Sequence, residues 1–170
     1  MIYSPRFLND YKQNNISFWG MTIQNEPLDG TLDNFKFNCL GMSAEQQRDF
    51  IIKTLGPKLN ASGYGPSKLA LMIMDDQRPL MTKWTDTILG NPEAAKYVAG
   101  VAFHWYINSF SSPDVLEQAH QKYPNYFLLS TEACEGSGPF DEEKVSLGNW
   151  QRAENYAHDI ITVSVPNSKF

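Results

Sequence analysis

The sequence predicts an α/β fold that forms part of a (β/α)8 barrel. Four short apolar runs, at residues 18–23, 69–74, 98–103 and 126–130, alternate with segments of helical character. The runs are almost continuously apolar, as is typical of strands buried on both faces of a parallel sheet. Their ends are about 50, 29 and 27 residues apart. The last two spacings suit a barrel in which about 250 residues make eight βα units, so about four units are expected here.

Signals for helix boundaries lie between the apolar runs. Residues 43–46 form a capping box that opens a helix, and Gly56-Pro57 predicts the end of that helix. Two more helices should open where a capping side chain precedes a proline, at Asn91-Pro92 and at Ser112-Pro113 before residues 114–122. The acidic cluster 141–143 indicates another helix start, and the last helix is expected over about residues 149–161.

Polar residues follow each apolar run, at residues 24–27, 75–78, 104–106 and 131–135. The carboxyl ends of barrel strands meet on one rim, where the active sites of this fold are built. We therefore expect the carboxylates, the imidazole and the aromatic rings of these segments to lie together. A catalytic rim is the interpretation that this pattern favours.

Two carboxylates on different strands, Glu26 and Glu132, suit the hydrolysis of a glycosidic bond. One carboxylic acid protonates the leaving oxygen, while a carboxylate on the other side acts at the anomeric carbon. Asn25 beside Glu26 is placed to hydrogen-bond a sugar hydroxyl, and Pro27 should keep the Glu26 backbone extended. Aromatic platforms for a sugar ring are available from Trp19, Phe37, Trp105 and Tyr106.

Simpler interpretations of the same residues remain open from the residues alone. Glu26 is also compatible with a solvated turn, and Glu135, in a loop that we expect to be exposed, competes with Glu132. Asp75 and Asp76 are ambiguous, since one of them could be a structural acceptor paired with Arg78 or could contact the substrate. His104 is more often a hydrogen-bonded structural histidine than a proton carrier.

Composition excludes several classes of protein. The net charge is −5, the sequence pI is about 5.1, and no cluster of Lys and Arg offers a surface for nucleic acid. No apolar run approaches the roughly 20 residues of a membrane span, and residues 1–6 lack the pattern of a signal peptide.

Cys39 and Cys134 are expected to be buried free thiols. Sequons at Asn15 and Asn60 would permit glycosylation.

Residues 18–27 resemble the acid/base strand of clan A glycosidases, and specifically of the glucosylceramidases of glycoside hydrolase family 30. The similarity extends over roughly residues 6–162. It is carried by residues 39–41, 47–51, 71–78, 91–98, 104–106, 130–134 and 147–150. Its most specific parts are the string Asp75-Asp76-Gln77-Arg78, residues 92–98 and the segment Glu132-Ala133-Cys134.

The resemblance implies roles for six residues. They are Glu26 as acid/base, Glu132 as nucleophile, Asn25 in contact with glucose, Tyr106 near the carboxylates, and His104 and Trp105 lining or supporting the site. Glucosylceramide would be cleaved with retention, without a metal or an organic cofactor. An ionised Glu132 would raise the pKa of Glu26 and keep it protonated at acidic pH. A lysosomal location, a saposin-type activator and peripheral contact with lysosomal membrane lipid follow from the same resemblance.

The resemblance places barrel strands four to seven within residues 1–170. It leaves strands one to three, strand eight and the accessory β domain outside the chain, and it fades over residues 163–170. Because a partial barrel has unpaired edges and an uncovered apolar interior, we expect the chain alone to fold poorly and to have little activity. The competing hypotheses are a family member acting on another β-glucoside and a truncated product without catalysis.

Overall fold

The computed structural model describes residues 3–33, 35–137 and 144–164. Within these ranges four parallel strands form one sheet in the order β1-β2-β3-β4. The strands are β1 (Gly20–Thr22), β2 (Ala70–Gln77), β3 (Gly100–His104) and β4 (Phe127–Glu132). The helices are α1 (Tyr3–Gln13), α2 (Ala44–Phe50), α3 (Gly56–Ala61), α4 (Met81–Ile88), α5 (Pro92–Ala95), α6 (Asp114–Lys122) and α7 (Trp150–Ser164). The predicted α/β fold is confirmed.

The two inner strands form the buried part of the sheet, as predicted. All of β3 and the middle of β2 are buried. The outer strands differ from the prediction, since β1 is half-buried throughout and β4 is partly exposed, with Leu129 at 38%. Each outer strand pairs with a single neighbour within the described ranges, so one edge of its backbone lacks a partner strand there.

The helix that opens at the capping box does not end at Gly56-Pro57, which corrects the prediction. The capping box itself is present, but α2 continues through a π-helical turn, Ile51–Leu55, directly into α3. We attribute this turn to Pro57, which has no N–H and would crowd the carbonyl four residues earlier in a regular α-helix. Gly56 has ordinary helical angles. A Cβ there would lie 2.5 Å from the Tyr97 ring, so its small size serves packing rather than helix termination.

The other helix signals that fall on described residues are confirmed. The Asn91 side chain accepts hydrogen bonds from the amides of Glu93 and Ala94, although α5 is only four residues long. The Ser112 hydroxyl accepts from the Asp114 amide at the start of α6. The last helix runs to Ser164, three residues beyond the expected end. The predicted helix start at residues 141–143 lies outside the described residues.

Two apolar clusters stabilise the fold. The main core joins β2 and β3 to α2, α4 and α6, and its most buried members include Ile51, Ile73, Met81, Ile88 and Val101. A second cluster joins α1 and α3 to the start of β2 through Leu8, Leu55, Leu59, Leu69 and Leu71.

The two cysteines are free thiols, as predicted, but neither is buried. Cys39 is half-buried and Cys134 is exposed. Both lie in irregular segments rather than in core elements, and for this reason the apolar neighbours in the sequence did not predict their exposure. Among the described helices, none has the length and apolar character required to cross a membrane.

Candidate active site

Glu26 lies in a tight turn just beyond β1. Its backbone φ is +42°, so the prediction of an extended Glu26 before Pro27 is wrong. The Glu26 amide donates to the carbonyl of Asp75 at 2.8 Å, and the Glu26 carbonyl accepts from the Asp29 amide at 3.0 Å. These two backbone bonds hold a left-handed conformation that is sterically unfavourable for a residue with a side chain.

The Glu26 carboxylate is held by His104 and Gln77. His104 Nδ1 and Gln77 Nε2 each donate to Glu26 Oε1, both at 2.8 Å. The hydrogen bond from His104 lowers the pKa of Glu26 below its ordinary value, against the opposing effect of burial. The expectation that Glu132 raises the pKa of Glu26 is therefore wrong, because His104 places a donor and a positive charge next to this carboxylate.

His104 lies at the end of β3 with no exposed surface and bridges two carboxylates. Its Nε2 donates to Asp75 Oδ1 at 3.1 Å, while its Nδ1 donates to Glu26. Burial opposes the charged imidazolium, but the hydrogen bonds to Asp75 and Glu26 outweigh it and raise the pKa of His104 to about 9. The interpretation of His104 as a hydrogen-bonded histidine agrees with this geometry.

Asp75 anchors this chain of hydrogen bonds from the centre of the sheet. Its Oδ2 accepts from the Thr22 hydroxyl at 2.6 Å, and its Oδ1 accepts from the Thr131 hydroxyl at 2.8 Å. Although burial acts in the opposite direction, the bonds from His104 and the two threonines lower the pKa of Asp75. Neither threonine was identified as a site residue from the sequence. Their positions in β1 and β4, on either side of the inner strands, could have indicated that both lie near Asp75.

Asp75 and Asp76 do not pair with Arg78, which corrects one of the interpretations. Both lie inside β2 rather than beyond its end. Asp76 accepts from the amides of Leu28 and Gln77, at 2.9 and 2.7 Å.

Arg78 instead supports the loop after β3. Its Nη2 donates to the carbonyls of Asn108 and Ser111, at 2.8 and 2.6 Å. Arg78 begins the 3₁₀ turn that follows β2, whereas both aspartates lie within the strand.

Glu132 ends β4 and is held by Tyr106. The Tyr106 hydroxyl donates to Glu132 Oε1 at 2.8 Å. Burial and this hydrogen bond to a carboxylate raise the pKa of Tyr106, so its hydroxyl keeps its proton. One oxygen of Glu132, one oxygen of Glu26 and one ring nitrogen of His104 all lie within 4.8 Å of one another. The three strands β1, β3 and β4 thus deliver these groups to one point on the rim.

The other predicted residues are less central. Asn25 is exposed immediately before Glu26, and Trp105 stacks on Tyr156 of α7 with ring centroids 4.9 Å apart. Trp19 lies at the amino end of β1 and contacts Phe127, at the amino end of β4, with centroids 5.5 Å apart. This position is remote from the rim, so Trp19 is not a sugar platform. Phe37 is 78% exposed.

Glu135, the competing carboxylate, is bound to α7. It accepts from Asn155 Nδ2 at 2.8 Å, and Arg152 Nε lies 3.9 Å from its second oxygen. Its side chain is only 17% exposed, which corrects the expectation of an exposed loop residue. These partners give Glu135 a structural task in joining the loop after β4 to the last helix.

Asp29 is a site residue that the sequence did not reveal. Its carboxyl group hydrogen-bonds to that of Glu26. Burial, this hydrogen bond and the negative charges of Glu26 and Asp76 raise the pKa of Asp29 to about 7. The only signal was its position three residues after Glu26, in a loop rich in Asp and Asn.

Glu26, His104 and Glu132 also have the spacing of metal ligands. In this arrangement both ring nitrogens of His104 donate to carboxylates, so neither has a lone pair to offer a cation. The group is better described as a hydrogen-bonded ionic network. That catalysis needs no metal or organic cofactor stays a prediction.

Some known proteins are similar to this chain in sequence, and others are similar to it in fold. The lysosomal acid glucosylceramidase of Mus musculus is 43% identical over 162 residues, which are 94% of this chain and 30% of the mouse protein. SrfJ from Salmonella typhimurium aligns over 93% of this chain and 33% of its own, with a TM-score of 0.76 and 23% identity. The family 30 subfamily 8 xylanase Xyn30A from Clostridium acetobutylicum covers 95% and 35%, with a TM-score of 0.59 and 17% identity.

At these identities the two solved structures support the fold alone. The chain spans about 30% of the length of the curated relatives that it matches. A family model, the glycosyl hydrolase family 30 TIM-barrel domain, matches residues 1–166. The predicted partial TIM barrel is thereby confirmed, and the chain belongs to glycosyl hydrolase family 30.

Proposed function

We propose that residues 1–170 are the part of a catalytic barrel domain that carries both carboxylates of a retaining β-glucosidase. The observation that supports this most directly is the approach of Glu26 and Glu132, with one oxygen of each within 4.8 Å of the other. Retaining glycosidases hold their two carboxyl groups about 5–5.5 Å apart, whereas inverting enzymes leave about 6.5–9.5 Å for a water molecule. The short separation favours double displacement.

In this reaction Glu132 attacks the anomeric carbon, and the bond to the leaving oxygen breaks as that oxygen takes a proton from Glu26. A glucosyl ester of Glu132 results. Glu26, now a carboxylate, removes a proton from water as the water attacks the same carbon, which releases glucose and frees Glu132. The hydroxyl of Tyr106 donates to Glu132 and orients it for the attack.

The proton on Glu26 is the demanding part of this cycle. Because His104 lowers the pKa of Glu26, this carboxyl group is ionised at neutral pH in the arrangement seen here. The acid role requires that Glu26 takes up a proton before the leaving oxygen departs, and acidic solution favours that uptake. An acidic compartment such as the lysosome therefore suits the site.

The substrate is proposed to be glucosylceramide, with glucose and ceramide as products. The relationship to the mouse lysosomal acid glucosylceramidase supports this substrate and a lysosomal location. A saposin-type activator and peripheral contact with lysosomal membrane lipid are proposals that rest on the same relationship. The net charge of −5 gives no support to a nucleic-acid partner.

A second candidate is a retaining glycosidase that acts on another β-glycoside. The observation in its favour is that a xylanase shares the fold over 95% of this chain. The fold alone therefore does not choose between a glycolipid and a polysaccharide.

The test is turnover on glucosylceramide in detergent, on an aryl β-glucoside and on a soluble xylan, measured with a complete family 30 barrel that contains residues 1–170, because the chain alone is expected to have little activity. Glu26→Gln should lower turnover of glucosylceramide about 10²- to 10⁴-fold, the usual contribution of an acid/base group. The loss should be smaller on a dinitrophenyl glucoside, whose leaving group needs no proton. Glu132→Gln should abolish turnover of both substrates, while Glu135→Gln is the matched control.

Three results would contradict the proposal. The first is turnover that survives Glu132→Gln, and the second is release of the α-anomer of glucose as the first product, seen by NMR. The third is a cooperatively folded barrel of this kind that is inert on all three substrates, which would support the hypothesis of a product without catalysis. Activity on xylan without activity on glucosylceramide would favour the second candidate.

A further inference from the structure

The centre of the sheet contains a strained segment in β2. Met74 and Asp75 have φ values of +70° and +56°, in the left-handed region that residues with side chains seldom occupy. The register between β2 and β3 shifts at the same point, between Met74 and Asp76. This is a β-bulge in a buried inner strand, and such a conformation persists only where neighbouring groups hold it.

The group that holds the bulge is the side chain of Gln47, from α2. Its Oε1 accepts a hydrogen bond from the Met74 amide at 3.1 Å, and Gln47 is completely buried. An amide displaced from a regular strand ladder needs another acceptor, because an unpaired buried N–H is costly. Gln47 Nε2 has no hydrogen-bond partner among the described residues. The bond from the Met74 amide to Oε1 is therefore the side-chain hydrogen bond that Gln47 makes there.

The bulge determines where Asp75 lies. In this conformation the Asp75 carbonyl accepts from the Glu26 amide, and its carboxylate accepts from His104 Nε2. His104 Nδ1 in turn donates to Glu26. Asp75 therefore contacts the turn that carries Glu26 twice, once through the backbone and once through His104. Both contacts depend on the conformation that Gln47 stabilises.

We propose that Gln47 is a positioning residue for the catalytic pair, because its bond to the Met74 amide keeps Asp75 placed to hold His104 and, through it, Glu26. The effect on catalysis rests on the proposed function, whereas the effect on Asp75 and His104 does not. Gln47 lies in α2 and bonds to β2 at the Met74 amide, so its effect on Glu26 passes through Asp75.

The charge on His104 reports the position of Asp75. The charged groups that face His104 are Asp75 from β2, Glu26 from the turn after β1, and Glu132 from β4. Asp76 of β2 and Asp29 of the turn after β1 also interact electrostatically with His104. If Asp75 moves away, His104 loses the carboxylate that accepts from its Nε2, while Glu26 and Glu132 remain near the ring. Its titration then moves toward that of an ordinary histidine.

The experiment titrates His104 by NMR in the chain labelled with ¹⁵N-histidine, with signals assigned by replacing His120 and His158 one at a time. Gln47→Met keeps the length and apolar character of the side chain but removes the acceptor, and it should lower the midpoint of His104 by about one pH unit or more. Gln121→Met, at an exposed position on α6, is the control for the same chemical change.

A folded Gln47→Met chain with an unchanged His104 midpoint would overturn the proposal. If that variant does not fold, the wild type still decides: a coupling across the hydrogen bond from the Met74 nitrogen to the Gln47 side-chain carbonyl is expected, and a rapidly exchanging Met74 amide without coupling would contradict it. Where the chain turns over glucosides, Gln47→Met should lower kcat more than it raises KM. If a complete wild-type barrel that contains residues 1–170 turns over no glucoside while His104 titrates as expected, the proposed function is contradicted and the positioning of Asp75 by Gln47 is supported.

Discussion

The substitution Asp75→Asn tests the ionic network beneath the candidate catalytic pair. The pKa of His104 is raised from an ordinary 6.5 to about 9, and a shift of this size corresponds to about 3 kcal/mol of stability. Since the folded value is the higher one, this stability is fully present below about pH 6.5 and is lost as the pH rises through about 9. Asp75 supplies one of the two direct carboxylate partners of His104.

Removing the charge of Asp75 should therefore destabilise the chain by about 3–5 kcal/mol at pH 6, the usual cost of breaking a buried ion pair by removing one partner. The free energy of unfolding is measured by urea denaturation at pH 6, 8 and 10 for wild type and variant. The difference should be largest at pH 6 and smallest at pH 10, where His104 is neutral in both. Asp76→Asn, which removes a neighbouring carboxylate that binds backbone amides, is the control. A difference that is constant with pH, or a wild-type His104 that titrates near 6.5, would refute the reasoning.

Three further predictions follow from other contacts. Gly56→Ala places a Cβ 2.5 Å from the Tyr97 ring and should lower the free energy of unfolding by about 1–3 kcal/mol; adding Tyr97→Leu should recover part of the loss, and no recovery would point to another cause. Asp29→Asn should remove a carboxyl titration near pH 7 from the ¹³C spectrum. The wild type should lose stability as the pH rises from about 4 to 7, and the variant should not show this loss. If the titration near pH 7 persists in the variant, another group is responsible for it. Tyr106→Phe should slow glucoside turnover about 10- to 100-fold, since a hydrogen bond to a charged group contributes about 1.5–3 kcal/mol, whereas Tyr126→Phe, whose hydroxyl makes only a 3.5 Å contact to the Ala95 carbonyl, should have little effect.

The fold was accessible from the sequence because its signals are local. Continuous apolar runs marked the strands, and the capping side chains of Ser43, Asn91 and Ser112 marked helix starts that the structure contains. The error at Gly56-Pro57 arose because the reason for the glycine is the Tyr97 ring, which lies 41 positions away in the chain and leaves no local signal.

The candidate site was only partly accessible for the same physical reason. Glu26, Glu132, His104 and Tyr106 come together because strand ends share a rim, and the strand pattern predicts that. The left-handed turn at Glu26 and the bulge at Met74 and Asp75 depend on hydrogen bonds between distant segments.

Charge states were the least accessible part of the site. The effect of His104 on Glu26 could not be deduced before their 2.8 Å contact was known. Without that contact, the charge of Glu132 was the only visible influence on Glu26, and it predicted a shift of the pKa in the wrong direction.

The most direct test of the central claim is covalent labelling of the chain by a cyclitol epoxide, which reacts with a glycosidase nucleophile, followed by peptide mass mapping. Glu26 and Glu132 face one another within 4.8 Å, so a bound epoxide would meet an acid on one side and a nucleophile on the other. We expect one equivalent of label, located on Glu132, abolished by Glu132→Gln and retained in Glu135→Gln. Label on Glu135 or Glu26, or a folded chain that takes up none, would contradict the assignment of Glu132 as the nucleophile.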